Sequence, residues 1–233
     1  MGPATTRRGI LGLAAMAIAP RARADVSPVV VELFTSQGCS SCPPADRILG
    51  DLARRPGVLA LSHHIDYWDR LGWKDPYSSP DATKRQRDYA RVLGLRTIYT
   101  PQMVIDGRLD VIGNDPAAIE RALARPRAPA TIALSMSRTG DALAIRGTLA
   151  GEAVRLRRID VQAQAPTTRV LAGENKGRAL AHVNVVRRIG APIDWSGAEL
   201  LWPVEPGLAT TALVEGADGR ILAAAWVAAA AAG

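Results

Sequence analysis

The chain has no apolar run of membrane length, only two cysteines, no cluster of basic residues and no internal repeat. Each absence excludes something. A membrane-spanning helix needs about 20 apolar residues. The run at 9–19 is about half of that, and the last one, 221–232, is a strand-like stretch with an alanine tail, so no permanent anchor is expected. Two cysteines exclude a multi-disulfide scaffold, and two thiolates alone do not complete a tetrahedral zinc shell. The formal charge of +7 includes four arginines and no acid within residues 1–24, which leaves +3 on the remainder. These basic residues are spread along the chain, so a nucleic-acid surface is not expected.

What is present begins with an export signal. Arg7 and Arg8 precede the first apolar run, Pro20 ends it, and Ala22-Arg23-Ala24 supplies small residues for cleavage before Asp25. Thr6-Arg7-Arg8-Gly9-Ile10-Leu11 also resembles a twin-arginine signal, with an ordinary Sec signal as the alternative. Residues 1–24 are thus expected to be a signal peptide, and the mature chain a periplasmic or secreted monomer.

Residues 25–126 alternate strand-like and helix-like segments, as α/β units with crossover helices do. The β-branched run Val29 to Phe34 reads as a strand buried on both faces, 45–52 as a helix, and 58–62 as a second buried strand. A helix over 81–95 is expected, with Asp81 as cap and Gly94 near its end. A hairpin around Asp106-Gly107 follows, then a helix opened by Asp115-Pro116. This is the element order of a thioredoxin fold. Beyond a proline-containing linker at 125–129, strands are expected at 131–137, 142–149, 154–164, 180–189, 211–215 and 221–227. Their alternation predicts a small antiparallel β-sandwich-like domain over 127–233.

The chemistry centres on Cys39-Ser40-Ser41-Cys42, placed between a buried strand and a helix. A helix start offers unpaired N–H groups and the positive end of the macrodipole, which favour a thiolate at Cys39. Ser40 and Ser41 are placed to donate hydrogen bonds to it. Cys42, one turn along, is the candidate resolving thiol. One alternative is a structural bridge, although a loop this short stabilises by only roughly 2 kcal/mol. Another is a soft copper site, in which His63, His64 or Met103 joins Cys39 and Cys42.

Three further features fit thiol exchange. Pro101 after Thr100, before a strand, is a candidate cis-proline that leaves the Thr100 backbone free to pair with an extended substrate. Glu32, inside a buried strand, is expected to have a raised pKa and to exchange a proton with Cys42, a salt bridge to an arginine being the alternative. His64 and Asp66, with Tyr67, Trp68 and Trp73, follow the second strand and are candidates for substrate contact or proton transfer.

The blocks Val31 to Asp46, His64 to Asp69, Leu71 to Asp75, Tyr99 to Met103 and Gly173 to Arg178 are similar to those of the bacterial secreted family called domain of unknown function 1223. The resemblance covers essentially the whole mature chain. It implies a thioredoxin-like fold followed by a β-rich extension, and it implies no substrate. Two departures from thioredoxins proper stand out: serines replace Gly-Pro between the cysteines, and Pro43-Pro44 are expected to delay the helix start.

The sequence therefore predicts a thiol-disulfide oxidoreductase acting on a protein or small thiol/disulfide substrate, with no organic cofactor. A copper-binding or copper-delivery protein is one alternative. Another is a binding protein with an inert disulfide, in which Glu174, Asn175 and Arg178 carry recognition.

Overall fold

The computed structural model describes residues 27–127, 132–151 and 153–229. The expected signal peptide lies outside the described residues, as does part of the linker. The chain begins with strand β1 (Val29–Thr35), helix α1 (Cys42–Leu52) and β2 (Val58–His64). Helix α2 (Pro80–Val92), the hairpin β3 (Gln102–Ile105) and β4 (Leu109–Ile112), and α3 (Pro116–Leu123) follow. β1 and β2 run parallel, in register from Val29 opposite Val58 to Thr35 opposite His64. β3 joins the other side of β1 antiparallel, with Phe34 opposite Gln102.

Local chemistry accounts for the element ends. α1 starts at Cys42, earlier than expected, because its two prolines fall in the first turn. There the helix has no carbonyl to offer their missing N–H groups, so proline costs nothing in hydrogen bonds. α2 is capped by Ser79, whose side chain accepts from the Asp81 N–H, so Asp81 lies inside the helix and is not its cap. Asp115 caps α3 by accepting from Ala118.

The second half contributes β5 (Ile132–Thr139), β6 (Ala142–Leu149), β7 (Val154–Gln164), β8 (Thr168–Arg169) and β9 (Ala179–Leu180). It ends with β10 (Val183–Ile189), β11 (Ile193–Trp195), β12 (Leu200–Pro203), β13 (Ala209–Glu215) and β14 (Ile221–Val227). β10 lies parallel to β2 and antiparallel to β7, so the strands of both halves form one nine-stranded sheet ordered β14-β13-β7-β10-β2-β1-β3-β4, with β11 beside β7. This is a mixed α/β fold built on a large, mostly antiparallel sheet, similar in kind to the expected α/β part with its β-rich extension. The halves are joined through this sheet as well as through the linker.

Packing on both faces of the sheet holds it. Val31, Leu33, Met103 and Ile105 on one face meet Leu49 and Leu52 of α1 and Ile119 of α3. Phe34 and Val104, on the opposite face, meet Tyr89 and Ala82 of α2. The small sheet β12-β6-β5 lies over β7, β13 and β14, where Leu143 and Ile145 pack with Leu156, Val214 and Trp195. Burying such side chains stabilises by about 1.5–3 kcal/mol each.

The Asp106-Gly107 turn ties three of these strands. The Asp106 N–H donates to the Val30 carbonyl and the Ile221 N–H donates to the Asp106 carbonyl, each within 2.9 Å. Gly107 has φ +64°, and a Cβ there would lie 2.6 Å from the Gly219 carbonyl oxygen. Gly107→Ala is therefore expected to destabilise the protein by about 1–3 kcal/mol, read as a lower urea midpoint. An unchanged midpoint would show that the Gly219–Arg220 backbone does not press on this turn.

Candidate functional site

β1 ends at Thr35 and the chain turns through Ser36 to Ser41 into α1. Cys39 and Cys42 are joined in a disulfide across that turn. Cys42 is the first residue of α1 and its N–H donates to the Cys39 carbonyl at 3.2 Å. Pro43 and Pro44 remove two of the N–H donors that a helix start ordinarily points at an anion. The Ser41 hydroxyl, 3.3 Å from the Cys39 sulfur, stands where it can replace one of them.

Both cysteines are 0% exposed, so neither is open to solvent. The solvent face of the turn is Ser40 and Ser41. A hairpin tip between β8 and β9 pins the turn down. Asn175, itself 0% exposed, donates to the carbonyls of Gln37 at 2.9 Å and Cys39 at 2.8 Å. Its own carbonyl oxygen accepts from Arg178 at 2.9 Å, and the Glu174 carboxylate accepts the Ser40 N–H at 2.9 Å.

The Thr100–Pro101 peptide is cis and lies just before β3. The Gly113 N–H donates to the Pro101 carbonyl at 2.9 Å, and neighbouring Asn114 donates to the Ser41 carbonyl at 3.3 Å. Pro101 and the cysteine turn thus share one rim of the sheet. Trp68 joins them, because its indole N–H donates to the Thr100 hydroxyl at 2.8 Å. Gly38 makes room for it, since a Cβ there would lie 3.3 Å from the Trp68 Cβ. Asp66 is occupied elsewhere: its carboxylate accepts from Thr83 at 2.6 Å and fastens the loop to α2.

Glu32 is also occupied, and this corrects its expected role. Its carboxylate takes the Arg85 guanidinium through Nε at 2.5 Å and Nη2 at 2.9 Å, with His63 Nε2 at 2.8 Å and the Tyr89 hydroxyl as further partners. Burial pushes its pKa up, but the Arg85 charge and the His63 contact outweigh burial and hold the carboxyl well below its usual range. Arg85 and Tyr89 belong to α2, whereas neighbouring Leu33 packs toward α1, so alternation along β1 turns Glu32 to the face opposite the cysteine helix. Arg85 continues to Glu215 of β13 at 2.9 Å, which Arg157 also holds, so the ion pairs bridge the two halves.

A second polar cluster lies on the same rim as the disulfide. His64 shares a hydrogen bond with Asp75 at 2.7 Å, Gln37 N–H donates to the same carboxylate oxygen at 2.8 Å, and Trp73 donates to the Gln37 side chain at 3.1 Å. Burial raises the Asp75 pKa, but His64 and the backbone N–H groups of Gln37 and Tyr77 lower it further than burial lifts it. The ring of His182, 4% exposed, stands edge-on to His64 with centroids 4.5 Å apart. Among the described residues no group of three or more His, Cys, Asp or Glu side chains is placed to hold a metal ion. Sequence reading passed over Arg85, His182 and Asn114. The scarcity of histidine was the available signal: the chain has three, and His63, His64 and His182 are all buried.

The fold and site define a mixed α/β protein with a Cys-x-x-Cys disulfide at a helix start. The chain belongs to the family described as protein of unknown function (DUF1223), whose model matches residues 30–217. It is similar to a protein of Agrobacterium tumefaciens solved by X-ray crystallography, at 27% identity and a TM-score of 0.70, over 88% of this chain and 96% of that one. A comparison with the curated proteins found no match.

The buried charges set the acid response. His63 is lowered from 6.5, chiefly by burial that the Glu32 contact only partly offsets, so the unfolded chain takes up its proton first as pH falls. Glu32, Asp75 and Glu215 are lowered as well, so below about 4.5 the unfolded chain again binds more protons. Asp106, raised by burial, opposes them. Stability is therefore expected to be greatest at neutral pH, to weaken below about 6.5 and to fall steeply below about 4.5, losing on the order of several kcal/mol. Urea midpoints measured against pH test this, and a midpoint constant down to about pH 3 would contradict it.

Proposed function

We propose that the protein is an exported thiol-disulfide oxidoreductase with a thioredoxin-like first half. The observation that carries the reading is the Cys39–Cys42 disulfide at the first turn of α1, on one rim with Pro101. Support also comes from the strand order β2-β1-β3-β4, with β1 and β2 parallel, α1 and α3 on one face and α2 on the other. In this reading Cys39 is the nucleophile, Cys42 resolves, Ser41 stabilises the Cys39 thiolate, and Thr100 and Pro101 shape the groove beside Trp68. Ser40 belongs to the clamp, because Glu174 takes both its N–H and its side-chain hydroxyl.

Burial of Cys39 adds a condition. A substrate sulfur reaches a disulfide only along the S–S axis, so access governs the rate as much as thiolate fraction does. Here the Glu174–Asn175 clamp must release the turn before exchange. The protein is then slow at rest and fast when its hairpin tip is lifted.

Turnover of a disulfide substrate such as insulin by the mature protein, with a dithiol as reductant, tests both statements. Wild type is expected to be active, Cys39→Ser inactive, and Asn175→Ala faster by about tenfold, since removing one buried hydrogen-bonding side chain costs the closed turn about 1–3 kcal/mol. No activity above the uncatalysed rate in either wild type or Asn175→Ala would overturn the reading.

A further inference from the structure

A resolving cysteine must give up its proton to attack, and the sequence offered Glu32 as the acceptor. With Glu32 held by Arg85 on the far face, the site needs another group. α1 supplies one. Asp46 lies four residues after Cys42, hence on the same helix face, at a Cβ separation of about 5–6 Å. That face is turned to the second half of the chain: one turn further on, a Cβ at Gly50 would lie 4.0 Å from Val183. Next to Val183 is His182, whose Nδ1 stands 3.6 Å from Asp46 Oδ1. Both side chains are more than nine-tenths buried, and neither of these two atoms has a hydrogen-bond partner. Two buried polar atoms that face each other at 3.6 Å without a hydrogen bond, one helical turn from Cys42, are costly unless they serve something.

From this arrangement we infer that Asp46 is the proton acceptor of Cys42 and that His182 is its positioning residue. The inference rests on the oxidoreductase reading. When Cys39 holds a substrate sulfur in a mixed disulfide, the Cys42 thiol passes its proton to the Asp46 carboxylate and its sulfur attacks Cys39 Sγ. The Cys39–substrate S–S bond breaks, the electron pair leaves with the substrate sulfur as thiolate, and Cys39 and Cys42 are left as the oxidised pair. His182 keeps Asp46 in place from the other side. The groups facing His182 are Gln37, whose Nε2 is 3.2 Å from His182 Nε2, His64 with Asp75 behind it, and Tyr77, which lies between His182 and Arg187.

The reduced mature protein reacting with 5,5′-dithiobis(2-nitrobenzoate) separates the two steps, because attack by Cys39 releases one chromophore and attack by Cys42 a second. Asp46→Asn and His182→Gln are expected to leave the first release within about twofold of wild type and to slow the second at least tenfold at pH 7. Asp46→Glu, which keeps the carboxylate, is expected to restore most of the second rate. In Cys39→Ser protein, where Cys42 is the only thiol, thiolate absorbance at 240 nm is expected to show half-ionisation about one pH unit lower when Asp46 is also Asn. A normal second release in both variants, together with an unmoved Cys42 titration, overturns the inference and leaves the oxidoreductase reading standing. If wild type releases no chromophore the oxidoreductase reading fails, and the 240 nm titration alone decides whether Asp46 is coupled to Cys42.

Discussion

The parallel pairing of β10 with β2 is the contact on which the site depends. β2 ends in His64 at the rim where β1 hands over to the cysteine turn, and β10 begins one residue after His182. Laying one strand beside the other brings the two histidines edge to edge and sets the β8–β9 hairpin tip over the turn. Without β10 the disulfide would keep its helix but lose its clamp, its second histidine and the partner of Asp46. The second half is therefore part of the site and not an appendage to it.

Charge reinforces that join away from the cysteines. Arg85 of α2 lies between Glu32 of β1 and Glu215 of β13, and Arg157 of β7 holds Glu215 from the other side. A buried ion pair of this kind adds little net stability over an apolar replacement, yet it is strongly destabilising when one partner is removed. Its effect here is to fix how α2 sits across strands that are far apart in sequence. The acidic side chain that looked like a redox proton carrier is in this way absorbed into architecture. The carboxylate proposed in its place is Asp46, on the cysteine helix itself.

Much of the fold was legible because its signals are local. Val29 to Phe34 is a β-branched run, Asp115-Pro116 is a cap followed by a first-turn proline, and Asp106-Gly107 is a hairpin turn; all three stand where the sequence put them. The cysteine pair and the Thr100-Pro101 step were legible for the same reason. What could not be read is what depends on distant partners. Glu32 gave no sign of which arginine 53 residues away would neutralise it. Nor did His182 show that a parallel strand would carry it to His64, or Asn175 that its amide would be spent on two carbonyls of the cysteine turn. Nor did any local signal show that both cysteines would be buried.

The central claim is that this disulfide exchanges electrons in use and does not serve as a staple. Its reduction potential, measured by equilibrating the mature protein in glutathione or dithiothreitol buffers of known poise, tests the claim directly. The account predicts a two-electron transition between about −120 and −270 mV, the span of thiol-redox proteins. A potential below about −300 mV, where structural disulfides of exported proteins lie, would contradict it.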